Sequence, residues 1–305
     1  MTVVTDRSRL RALLGDLPVR AAPTSGTLRD IRKRGDASIE DWRLDLNDAL
    51  DVPATVVVPL QAPRAIVLYC HAHGNNFAIG RGELLCGRPA LAQPPYGDCL
   101  PQLGFAAVAI DHRGFGDRAT PGERVLNKRL LWEGRTLWGM RVADTLSVYD
   151  WLRAQDRFAH LPIVTLGLSM GSTMAYWTAS LEAGIAACVD LCGLAEFDAL
   201  VGSGAEDLHG EYWFVPGLRK HFTAAAINAL IAPRPHLSCA GRDDPLTPPA
   251  GLAAIDAALS RIYAEAGAPA AWRQCVFPCG HAETPAMRAE VLSFLDEIAG
   301  TLGSH

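Results

Sequence analysis

Ser169 lies in Gly167-Leu168-Ser169-Met170-Gly171, between a β-branched, leucine-rich run (163–166) and a helix-compatible run (173–179). Strand, tight turn and helix follow one another there, and G-x-S-x-G in that setting is a nucleophile elbow. The turn strains the serine backbone, and glycines two before and two after it leave no side chain to collide with neighbouring backbone. The hydroxyl then projects from the sheet edge, and the N–H of Met170, at a helix N-terminus, points toward a developing oxyanion. With 28 glycines in the chain the pattern can arise by chance, so its position between strand and helix is what gives it weight.

A serine hydroxyl needs a base, and the base needs an orienting group. In a parallel sheet such groups collect at the carboxyl ends of strands. The strand-like run 236–240 is followed by Gly241-Arg242-Asp243-Asp244-Pro245, and the run 272–277 by Pro278-Cys279-Gly280-His281. The order serine, aspartate, histidine is that of one known hydrolytic arrangement. In it His281 takes the serine proton during attack on an acyl carbon and returns it to the leaving group. Asp243 or Asp244 holds the imidazole tautomer.

Those residues need a scaffold, and the hydrophobic pattern supplies one. Alternation at 39–46 and a Val-rich run at 54–60, joined by Asn47-Asp48, predict an antiparallel start. Continuous apolar runs at 65–70, 105–110, 163–166, 185–191, 236–240 and 272–277 predict buried strands. Between them, helices are expected at 81–91, 132–154, behind Ser169, at 252–266 and at 285–298. Strands alternating with helices predict one α/β domain, a mostly parallel twisted sheet with helices on both faces. Residues 1–36, with a short helical patch at 8–14, are expected to be an N-terminal arm, and 37–303 the single domain. Segment 197–232 lacks a strand pattern and is expected to be a lid-like insertion carrying Tyr212, Trp213 and Phe214. Three consecutive aromatics cannot all face inward on one element, so at least one is expected to line a substrate pocket.

Beyond spacing, the chain resembles the α/β-hydrolase superfamily, in its dienelactone-hydrolase and acetyl-xylan-esterase-like group, from about residue 40 to the last helix. The motifs carrying the resemblance are His71-Ala-His73-Gly74, Asp111-His-Arg113-Gly114-Phe-Gly116, Leu131-Trp-Glu-Gly134-Arg-Thr-Leu-Trp138-Gly, Gly167-Leu-Ser169-Met-Gly171, His209-Gly210-Glu-Tyr212-Trp213-Phe-Val-Pro216-Gly217, Ile231-Ala-Pro233-Arg234-Pro235, Gly241-Arg-Asp-Asp244-Pro245 and Gly280-His281. The resemblance implies an α/β-hydrolase fold and a carboxylic ester hydrolase; the residues themselves imply an acyl-enzyme on Ser169, and aromatics of 212–214 close over the serine would favour a short acyl group. It selects Asp244, which directly precedes Pro245, over Asp243. It implies that His73 joins Met170 in donating backbone N–H groups to the oxyanion. Two departures bear on the activity. Dienelactone hydrolases proper carry Cys where this chain has Ser169, which favours an esterase. The oxyanion loop reads His-Ala-His-Gly-Asn where Gly-rich versions are usual.

Composition sets the outer bounds. The 305 residues suffice for a large core, and 49% apolar with 20% charged residues is ordinary for a folded enzyme. A formal charge of −5 gives no footprint for nucleic acid. No signal-peptide pattern or membrane-length apolar run is read, and cysteines such as Cys70, Cys188 and Cys239 within apolar runs are expected to be reduced thiols. A cytoplasmic protein with a small-molecule ester substrate, no membrane partner, no cofactor and no metal is therefore expected. The competing readings are a peptidase or acyltransferase on the same residues, and a non-catalytic binding protein on a hydrolase fold. His71-x-His73, with Asp111-His112 nearby, could hold a metal. The plainer reading is turn histidines whose rings bond the loop backbone.

Overall fold

The apolar runs become the middle of a nine-stranded sheet. The computed structural model describes residues 3–20 and 24–302. Its strands are β1 (Ser25–Arg34), β2 (Ala37–Leu46), β3 (Ala49–Pro59), β4 (Ala65–Cys70), β5 (Phe105–Ile110), β6 (Ile163–Leu168), β7 (Ala187–Leu191), β8 (His236–Gly241) and β9 (Trp272–Phe277). Its helices are α1 (Val3–Leu13), α2 (Glu83–Cys86), α3 (Tyr96–Gln102), α4 (Glu123–Trp132), α5 (Leu137–Arg153), α6 (Met170–Leu181), α7 (Phe197–Ser203), α8 (Ala224–Ala229), α9 (Pro249–Glu265) and α10 (Pro285–Leu302). The strand order is β1-β2-β3-β5-β4-β6-β7-β8-β9. Pairing is antiparallel from β1 through β3 to β5 and parallel from β5 to β9. This is the α/β architecture with an antiparallel start that the sequence predicts.

Period-two alternation sorts the strand side chains into two cores. Ile66, Leu68 and Cys70 of β4 join Val108 of β5 on one face, beneath Trp138, Trp151 and Trp177 from α5 and α6. Val67 and Tyr69 face the other way, with Leu100 of α3 and Met287, Val291 and Leu295 of α10. Both faces are covered, which is why β4, β5 and β6 are buried along their whole length. Register then aligns the carboxyl ends: Cys70 sits beside Gly167, Leu168 beside Leu191, and Gly241 beside Phe277. The loops after β4, β6, β8 and β9 emerge together.

Three local expectations are refined. The segment 1–36 is tied into the sheet: β1 pairs along β2, and Arg7 of α1 donates to the carbonyls of Ser180 (2.9 Å) and Leu230 (2.7 Å). Residues 1, 2 and 21–23 of that expected arm, and 303–305 at the other end, lie outside the described residues. β1 is exposed at the edge and rich in Arg and Lys, the composition that discourages edge pairing and masks a strand pattern. The helix expected at 132–154 is α5, which starts only at Leu137, and a further helix, α4, precedes it at Glu123–Trp132. Gly134, at φ 72°, separates the two, and the Thr136 side chain accepts from the Gly139 N–H (2.9 Å) to start α5. The helix expected at 81–91 stops at Cys86, because Gly87 takes φ 65°.

Segment 197–232 contains α7, α8 and short 3-10 turns between them, with no strand. Glu196 anchors both ends of it. Its carboxylate accepts from the N–H groups of Phe197 (3.0 Å), Ala224 (3.2 Å) and Ala225 (3.3 Å).

Candidate active site

Ser169 is the residue between β6 and α6, held at φ 59°, ψ −119°. A side chain cannot be placed at its flanking glycines. A Cβ on Gly167 would lie 2.6 Å from the Cys70 carbonyl oxygen, and one on Gly171 would collide with the same oxygen. The elbow packs directly on the end of β4, so the serine turn and the loop starting at His71 are one unit.

His281, in the loop after β9, lies between Ser169 and Asp244. Its Nε2 is 2.8 Å from Ser169 Oγ, and its Nδ1 is 2.7 Å from Asp244 Oδ2. With the carboxylate accepting, Nδ1 carries the proton and Nε2 is left to accept from the serine hydroxyl. Asp244 is buried, and its other oxygen accepts from the Leu246 N–H (2.9 Å). Asp243 is exposed and faces Arg242 instead. Gly241 lets the two loops approach, since a Cβ there would lie 2.5 Å from the Cys279 carbonyl oxygen.

These groups open into a cavity of about 180 Å³. His73, Met170, His209, Tyr212 and Trp213 line it with Ser169 and His281, and among the described residues no Asp, Glu, Lys or Arg does. Met170 starts α6, so its N–H has no carbonyl one turn earlier in the helix to bind. Cys192 is also in the wall, but burial pushes its thiol up to about 12, so it stays protonated and is no rival nucleophile. Burial holds His209 below the ordinary imidazole range, and its neutral ring lies 4.6 Å from Trp213, nearly parallel to it.

The aromatic stretch divides as a 3-10 turn requires, with successive side chains about 120° apart. Tyr212 is buried and Trp213 half-buried, both in this cavity. Phe214 is not in it and lines a neighbouring apolar cavity instead, which corrects its assignment to the pocket beside Ser169.

A charged cluster that sequence reasoning missed supports one wall. His73 Nδ1 accepts from the Asn75 N–H (3.1 Å), and Nε2 donates toward both oxygens of Glu123 (3.1 Å each). Glu123 accepts from Arg141 (2.7 Å), whose fully buried guanidinium also donates to the Arg113 carbonyl and lies over the Tyr212 ring. Tyr212 stacks on His73 at 4.7 Å. Burial pushes the Glu123 carboxyl up, but the His73 hydrogen bond and the Arg141 charge outweigh it and hold it below its ordinary range. Glu123 and Arg141 lie on separate helices with no spacing motif between them. The only sequence signal is Arg141 among the apolar residues of the first turns of α5, next to Met140 and Val142.

Both ring nitrogens of His71 and His73 are engaged. His71 bonds the Ala72 carbonyl (3.0 Å) and accepts from the His112 N–H (3.3 Å). Burial lowers His71 to about 3, so it is neutral. Among the described residues, Cys188, Asp190 and His236 bring possible ligand atoms within 4.8 Å of one another. Asp190 of β7 already accepts from His236 (2.6 Å) and Ser238 (2.8 Å) of β8, a buried hydrogen-bond network between neighbouring strands.

The fold and the strand-end geometry define an α/β-hydrolase. No family model matches the chain. It is 41% identical over 293 residues to the Bacillus subtilis (strain 168) protein "Putative hydrolase YtaP", covering 95% of this chain and 98% of the relative, and it belongs to that protein's family. Similar solved structures include a glucuronoyl esterase from Solibacter usitatus (TM-score 0.67, 15% identity, 98% of this chain and 92% of that one). An acetyl xylan esterase from Paenibacillus sp. R4 is also similar (TM-score 0.63, 17% identity, 95% and 92%). "Methylesterase BT1017" overlaps at TM-score 0.73 with 20% identity, over 97% of this chain and 63% of that longer one. At these identities the structures speak for the fold. Among the described residues no helix is long and apolar enough to cross a membrane.

Proposed function

We propose that the protein is a serine esterase that hydrolyses an uncharged, short-acyl carboxylic ester. The observation that carries the reading is the unbroken hydrogen-bond chain from Ser169 through His281 to Asp244, ending in a cavity without charged walls. His281 Nε2 takes the Ser169 proton as Oγ attacks the acyl carbon, and the carbonyl electrons move onto the oxygen. The N–H groups of Met170 and His73 stabilise that oxyanion, at about 3–4 kcal/mol per donor. Collapse expels the alcohol, which receives the proton from His281, and leaves Ser169 acylated. Water, deprotonated by His281, then attacks the acyl-enzyme, releasing the acid and restoring the serine. Asp244 holds the Nδ1–H tautomer throughout and stabilises the imidazolium.

The half-buried serine and the enclosed aromatic wall suit a small acyl group. The esterases among the similar folds support an ester over an amide substrate. Segment 197–232 serves as the lid over the site, within one domain. The test is a fluorophosphonate probe followed by peptide mass spectrometry, together with p-nitrophenyl acetate turnover. The expected result is an adduct on Ser169 in the wild type, none in Ser169→Ala, and near-complete loss of turnover in that variant with the fold intact. Full activity in Ser169→Ala overturns the mechanism.

A further inference from the structure

Next to the reaction cavity lies a second one, of about 100 Å³, with a mostly apolar lining. Trp177, Leu200 and Leu218 form its walls, and half-exposed Val201 and Phe214 stand at its rim. Trp213 is the residue common to both linings. Its ring places one face against His209, which belongs to the reaction cavity (4.6 Å, 21°). It also meets Phe197 (5.8 Å, 60°) and Phe214 (5.6 Å, 79°) in edge-to-face contacts, and both belong to the apolar cavity. One indole is thus the wall between the two.

We propose that Trp213 is a specificity residue that limits chain length by closing off from Ser169 an apolar cavity whose lining suits a linear alkyl chain. The inference rests on the esterase reading. The site suits an uncharged aliphatic chain for two reasons. Its walls offer hydrocarbon and aromatic surface, and Arg219 of the lining is turned to Asp198 (2.8 Å). Glu206, the other charged neighbour, would repel a chain ending in an acid. With Trp213 in place a chain attached to the reacting ester stops at the indole. Without it, each methylene that reaches the cavity improves kcat/KM by roughly fourfold.

The chain can belong to the acid or to the alcohol, and the experiment separates them. Wild type, Trp213→Ala and Trp213→Leu are compared on p-nitrophenyl acetate and octanoate, and on ethyl and octyl acetate by pH-stat. The expected result is a rise in the long-to-short kcat/KM ratio of more than about tenfold for Trp213→Ala in one arm, with a smaller rise for Trp213→Leu. The arm that responds names the chain. In Trp213→Ala with Val201→Trp, the refilled cavity abolishes the gain. An unchanged ratio in both arms, or a gain that survives Val201→Trp, overturns the proposal. If Trp213→Ala does not fold, the Trp213→Leu comparison decides alone. A wild type that neither hydrolyses the acetates nor labels at Ser169 removes the esterase reading and this inference with it. Acetate turnover with an unmoved ratio removes this inference only.

Discussion

Two adjacent aspartates with different surroundings give the sharpest test at the scale of single residues. Asp244 is buried with both oxygens engaged, by His281 and by the Leu246 N–H, whereas Asp243 is exposed. Asp244→Asn keeps the shape, but its amide cannot stabilise an imidazolium and favours the wrong tautomer. A fall in kcat of about 10⁴ on p-nitrophenyl acetate is expected, against less than about tenfold for Asp243→Asn. The reverse ranking assigns the role to the other carboxylate. Ser169 and His281 were legible from residue type and strand-end position. Between the two aspartates only the Pro245 context chose, because one step along a loop turns a side chain from the interior to solvent.

Among the elements, segment 197–232 is closed on itself by one carboxylate. Glu196 precedes α7 and also accepts from the first two N–H groups of α8, closing the insertion into a loop with a charged clasp. A carboxylate at a helix N-terminus adds a favourable dipole interaction to those bonds. Glu196→Ala removes the clasp without touching the sheet. Amides in 197–232 are expected to exchange hydrogen about tenfold faster or more, while those of β6 and β7 are unchanged. Uniform acceleration across the sheet would show that Glu196 supports the whole fold. The absence of strands in this segment was readable from its composition. Its closure by Glu196 was not, since the partners are 28 and 29 residues away.

Across the whole molecule, the loop after β5 is fastened to α5 by Asp144. The buried carboxylate accepts from Arg113 (3.0 Å to each oxygen) and from Arg118 (2.9 Å). Burial pushes its pKa up, but the Arg118 and Arg113 charges and hydrogen bonds outweigh it, leaving the folded value below the ordinary one. A depressed folded pKa means stabilisation that is complete above the unfolded value, about 4, and lost as pH falls through the folded value. Asp144→Asn is expected to cost about 3–5 kcal/mol at pH 7 in urea unfolding, because two guanidinium groups lose their counter-charge. The gap to wild type stays level from pH 7 down to about 4 and narrows below it. A gap already closing at pH 6 contradicts the assignment.

By itself the sequence determined the α/β class, the strands from β2 to β9 and the elbow at Ser169. These depend on short-range facts: period-two or continuous apolar runs, and glycines where backbone passes backbone. It also carried the positions of His281 and Asp244, since strand ends collect reactive groups whatever the exact sheet order. Tertiary structure decided the rest. β1 was hidden because an exposed, charged edge strand has no apolar pattern to read. The break between α4 and α5 depended on Gly134 adopting a left-handed backbone, which a single glycine permits but does not require. The Arg141–Glu123–His73 support and the Trp213 wall exist only where distant segments meet. A buried charge is tolerable only once its partners arrive, and which way an aromatic faces depends on what packs against it.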